Sequence, residues 1–62
     1  MCLSTVYELA GSEKKMLCRN VEAVNLKDGK LVFTDILGSS KVYDGVIQQI
    51  DLTDNYIIVT QN

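Results

Sequence analysis

Cys2 has the most chemistry to offer in this chain. It follows the first methionine in Met1-Cys2-Leu3-Ser4, and the 62 residues contain no histidine. A thiolate is a soft ligand that suits a few transition metals far better than Mg or Ca. If Met1 is removed, Cys2 also carries the free α-amine, and sulfur and nitrogen on one residue close a five-membered chelate ring. If Met1 stays, main-chain nitrogens around Cys2 are still within reach of whatever the sulfur holds. The N-terminus is then a site on its own, or half of one shared between two chains. The competing reading is that Cys2 is a small hydrophobe, the ordinary behaviour of a free cysteine.

Other chemistry is sparse. The carboxylates are dispersed at Glu8, Glu13, Glu22, Asp28, Asp35, Asp44, Asp51 and Asp54. Asp28 and Asp54 are explained by turns, and Asp44 precedes a bend. There is no Cys-x-x-Cys, no glycine loop for phosphate and no nucleophile paired with a base. A domain of this size is also expected to lack a pocket that encloses a small substrate. The chain therefore reads as a non-enzyme. Its net charge of −2 and scattered basic residues (Lys14, Lys15, Arg19, Lys27, Lys30, Lys41) make no stripe for phosphates, which argues against nucleic acid.

The elements that must position Cys2 are strands in a single domain spanning 1–62. A chain of 6.9 kDa gains roughly 90 kcal/mol from burial at ~25 cal/mol per Å². Ordering the chain costs about the same. So small a domain needs a disulfide, a metal or a partner chain, and the 47% hydrophobic content points to a twofold homodimer. A Cys2–Cys18 disulfide is not expected: a turn near Gly11-Ser12 sets Cys18 across from Val6, leaving the sulfurs roughly 13 Å apart along the strands. No signal-like segment or membrane-spanning apolar run is evident, and the expected setting is a reducing cytoplasm.

There is no proline and no sustained helical periodicity. Cys2–Leu9 alternates, with Leu3, Tyr7 and Leu9 on one face and Val6 on the other. Apolar groups on both faces suggest core on one side and a dimer surface on the other. Further strands are expected at Met16–Leu26, bent near Arg19-Asn20, at Lys30–Ile36, at Val42–Leu52 with an interruption at Asp44-Gly45, and at Tyr56–Thr60. Asp28-Gly29 and Asp54-Asn55 are two-residue hairpin signals. The segments 24–34 and 50–60 echo each other, which implies two hairpins of one shape. The fold class is all-β, a small SH3-like barrel of about five strands, which leaves few exposed edges.

Taken in order and spacing, Met1-Cys2-Leu3-Ser4-x-Val6-Tyr7, Asp35-Ile36-Leu37-Gly38, Gly45-Val46-Ile47-x-x-Ile50-Asp51-Leu52 and the apolar last strand resemble the CooT family over essentially the whole chain. The resemblance implies an SH3-like homodimer that binds Ni(II) at the subunit interface through the cysteine matching Cys2. It also implies a role as nickel carrier or metallochaperone, with carbon monoxide dehydrogenase as the client of the best-known member. Two thiolates would cancel the charge of one divalent ion, and planar nitrogen–sulfur ligation suits Ni(II) or Cu(II) better than Zn(II). Related sequences also carry an RNA-binding label. The alternative reading is thus an RNA- or peptide-binding SH3-like module without a metal.

Overall fold

The computed structural model describes residues 2–62. Among these residues there is no helix. One six-stranded sheet contains β1 (Ser4–Ala10), β2 (Glu13–Lys27), β3 (Lys30–Asp35), β4 (Ser40–Tyr43), β5 (Gly45–Asp51) and β6 (Tyr56–Gln61), in the order β4-β3-β2-β1-β6-β5. Neighbours are antiparallel except β1 and β6, which run parallel.

The interrupted strand expected over Val42–Leu52 is two strands, β4 and β5. Asp44 alone links them, yet they form opposite edges of the sheet. A single residue joins opposite edges only if the sheet curls until those edges come round towards each other. The result is a small SH3-like barrel, 31 × 28 × 15 Å in extent, with one seam left without a hydrogen-bonded ladder.

The corner requires glycine. A Cβ on the buried Gly45 would run into the Thr60 carbonyl oxygen and the Tyr43 ring. The Asn62 side-chain amide donates to Asp44 Oδ1 at 2.7 Å and fastens the end of the chain to this corner.

Turns follow local chemistry. Gly11, at φ 64°, takes the first central position between Ala10 and Glu13. Asp28 and Gly29 both have positive φ, at 54° and 77°, between the paired Lys27 and Lys30. That is the two-residue hairpin expected of Asp-Gly. The second echo segment does not fold alike. Asp51 pairs with Tyr56, so four residues turn the chain, and among them only Asn55 has positive φ. Asp51 Oδ1 accepts the backbone N–H of Thr53 at 3.0 Å and of Asp54 at 2.8 Å. This side-chain capture offers the backbone a wider turn, so the two hairpins differ in shape.

β2 is long because it serves both halves of the sheet. Its first half pairs with β1 and its second with β3, with Val21 paired to both, and Asn20, at φ 58°, sits in the irregular step of the β1 ladder just before Val21. The bend expected at Arg19-Asn20 therefore lies beside the residue where the strand changes partner.

The core consists of Val6, Val21, Leu31, Phe33, Tyr43, Ile57 and Val59. On β1, Val6 and Glu8 are buried while Tyr7 and Leu9 are only half-buried. The larger apolar set of this strand therefore lies on its outer face.

Candidate metal centre

Cys2 stands two residues ahead of β1, where Ser4 pairs with Val21 and the Thr5 N–H reaches the Asn55 carbonyl at 3.1 Å. Regular pairing thus begins only after Cys2 and Leu3, later than the expected strand Cys2–Leu9. The Cys2 thiol is free and exposed. The expectation about Met1 and the α-amine lies outside the described residues.

Cys18 pairs with Val6 as expected, by way of a one-residue shift of register between Val6 and Tyr7, and its thiol is also free. It is half-buried against the core and lines a cleft of about 150 Å³ with Leu17, Phe33, Asp35 and Lys41. Burial pushes its thiol pKa up. The Lys41 charge pulls it down and the Asp35 charge raises it, each by less. Surroundings that raise a thiol's pKa make the thiolate, the form that binds metal, harder to reach. Of the two cysteines, Cys2 has the accessible position.

Among the described residues, no group of three or more Cys, Asp or Glu side chains is placed to hold a metal ion. Cys2 therefore stands as a single exposed thiol that belongs to no such cluster.

The four aromatic residues also divide. Phe33 and Tyr43 are in the core. Tyr7 and Tyr56 meet edge to face, with ring centroids 6.4 Å apart, beside Lys14. The edge of one ring thus sits over the face of the other, and both rings are half-buried.

One pair escaped the reading of the sequence. Glu8 is 7% exposed, and the Tyr43 hydroxyl donates to its Oε2 at 2.6 Å across 35 residues of sequence. The bond joins β1 to β4, which are not neighbours in the sheet. Burial pushes the Tyr43 phenol up to about 12, helped by the hydrogen bond to Glu8 and by its charge. A signal was available, because Glu8 lies two residues from Val6 and so shares its inward face. A charged residue in a core row demands a donor.

An open groove of about 570 Å³ lies between the β2–β3 hairpin and β5. Val24, Leu26, Leu31, Val46, Ile47 and Ile50 are among the residues that line it. It is a trough along the unpaired seam and encloses nothing, so it does not conflict with the expectation that so small a domain lacks an enclosing pocket.

A family model described as CO dehydrogenase accessory protein CooT matches residues 1–60 of the chain. No curated protein sequence matches it. The crystal structure of a candidate CooT from Carboxydothermus hydrogenoformans superposes with a TM-score of 0.92 at 20% sequence identity, covering 98% of each chain. At that identity the likeness shows a shared fold.

Proposed function

This chain belongs to the CooT family of CO dehydrogenase accessory proteins, and on that premise we propose that it carries Ni(II) on Cys2 without catalysing a reaction. The nickel is cargo, held between the Cys2 thiolates of two copies and passed on during maturation of a nickel enzyme of the carbon monoxide dehydrogenase type. The observation that carries this reading is the position of Cys2. It is a free, exposed thiol ahead of the first strand, outside the packed barrel, where a ligand can be reached from a second chain and released without unfolding anything.

The chemistry follows from the donor. Thiolates favour nickel and copper over the hard cations, and Cu(II) is expected to compete with Ni(II) in vitro. A thiol must lose its proton to bind, so uptake releases protons and weakens on acidification. One donor per chain also suits a carrier, because a partner protein that offers more ligands can draw the ion away. Among the described residues no helix is long and apolar enough to cross a membrane, and the proposed setting is the cytoplasm.

The test is a nickel titration of purified protein whose N-terminus has been checked by mass spectrometry. A thiolate-to-nickel charge-transfer band should saturate at one ion per two chains. It should vanish in Cys2→Ser and persist in Cys18→Ser. A band that survives Cys2→Ser would overturn the reading. RNA binding without any nickel response would favour a metal-free module, for which the Tyr7–Tyr56–Lys14 face is the place to look.

A further inference from the structure

We propose that the free edge of β4 is a docking strand for an extended segment of another protein, one that sets a carboxylate opposite Lys41 and an apolar side chain beside Val42. The inference is independent of the reading of Cys2.

The turn before β4 is tightly built. The Asp35 N–H donates to the Ser39 carbonyl at 2.9 Å, the Gly38 N–H to the Asp35 carbonyl at 3.0 Å and the Ile36 N–H to the Asn20 carbonyl at 2.9 Å. Asp35 Oδ1 accepts the N–H groups of Leu37 and Ser39 at 2.9 and 3.0 Å. These bonds hold the backbone while Leu37 stays 88% exposed and Ile36 47%.

The same bonds settle which backbone groups of β4 face out. Bonded and non-bonded pairs alternate along an antiparallel ladder. Asp35–Ser39 is bonded, so Phe33–Lys41 and Leu31–Tyr43 are bonded as well. Thr34–Ser40 and Val32–Val42 are the pairs between them. The N–H and C=O groups of Ser40 and Val42 therefore point away from β3. β4 is the outermost strand on that side, so the sheet offers these groups no partner.

The other free edge is less suited to a further strand. The seam beside β5 exposes more apolar side chains, from Leu26, Val46, Ile47, Ile50 and Leu52. However, the β5 ladder shifts register between Ile47 and Gln49, and such an irregularity turns an edge away from pairing. The β3–β4 ladder runs from Leu31–Tyr43 to Thr34–Ser40 without a shift.

Side chains name the occupant. Tyr43 is buried, so Lys41 shares its face, and Val42, 62% exposed, takes the outer one. Lys41 is exposed and lines the cleft of about 150 Å³ with Phe33. Asp35 lines the same cleft, but its Oδ1 is taken by the turn. A carboxylate on the incoming strand thus gains a cross-strand ion pair with Lys41, and the next side chain along falls on the outer face beside Val42. Main-chain bonds supply the affinity in strand addition, and such side-chain contacts the specificity. A second copy is a poor occupant, because two β4 strands paired about a twofold axis bring Lys41 beside its twin. Edge lysines prevent self-pairing in this way.

Hydrogen exchange of the full chain, followed by amide NMR, tests the edge first. Ser40 and Val42 should exchange much faster than Lys41 and Tyr43. A short synthetic peptide that alternates valine and threonine around one central glutamate is then titrated in. It should shift amides at 36–43 and slow exchange at Ser40 and Val42. Replacing the peptide's glutamate with lysine, which needs no protein variant, should weaken binding about fivefold, and Lys41→Glu should reverse that preference. Equal protection of all four amides in the free chain would overturn the proposal. So would shifts that cluster at 45–52, an affinity indifferent to both charge swaps, or no binding at millimolar peptide.

Discussion

Around the β4–β5 corner the inward groups are matched. Tyr43 donates to the buried Glu8, Gly45 lets the backbone pass against Thr60 and the Tyr43 ring, and Asn62 closes on Asp44. At the Cys2 end the reverse holds. A free thiol precedes the first paired residue, and β2 and β5 leave leucine and isoleucine side chains in water. The contrast separates two tasks within one short chain. The corner spends its polar and apolar groups on holding a curled sheet together. The open end withholds such groups from the fold, and groups left out of the fold are free to meet a metal or another chain.

This division can be broken most directly at the core. Phe33 is 1% exposed, and Phe33→Ala is expected to cost about 3–5 kcal/mol. The whole stability of a chain this size is about 3–9 kcal/mol. The variant should therefore lose its cooperative urea transition, and a sharp transition near the wild-type midpoint would show that the packed side contributes less than its burial suggests.

Next comes the buried pair. Tyr43→Phe leaves a carboxylate in the core without its donor and should cost about 1–3 kcal/mol in urea. Glu8→Gln keeps an acceptor for the phenol and should cost less. The same pair predicts an alkaline limit. The Tyr43 phenol lies at about 12 in the folded chain, against about 10 when unfolded. The folded state thus holds this proton more tightly. Its contribution is complete below pH about 10 and is lost as pH rises towards 12. Thermal melts between pH 9 and 12 should fall over that window, and the fall should flatten in Tyr43→Phe.

The smallest expected effect sharpens the comparison from the other side. In metal-free protein Cys2→Ser should change stability by less than about 0.5 kcal/mol, even though it is expected to remove the proposed nickel binding. A loss of several times that amount would mean that Cys2 belongs to the fold as well as to the site.

Much of the barrel could be read residue by residue because turns are local. Asp28-Gly29 accepts positive φ at both central positions, Asn20 bends β2, and Gly11 turns the first hairpin, although Cys18 comes opposite Val6 only through a one-residue shift of register between Val6 and Tyr7. Cys2 stands out in the sequence by residue type and place in the chain, and the structure leaves its thiol exposed. Local preference alone could not say that β4 and β5 part at Asp44 to opposite edges, or that Asp51 captures its own turn and makes the second hairpin wider. Nor could it join Glu8 to Tyr43. Those features arise between residues far apart in sequence, where the closure of the sheet determines which atoms meet. The same closure stops short of a final ladder, and the unpaired seam it leaves gathers Leu26, Val46, Ile47 and Ile50 into one exposed face.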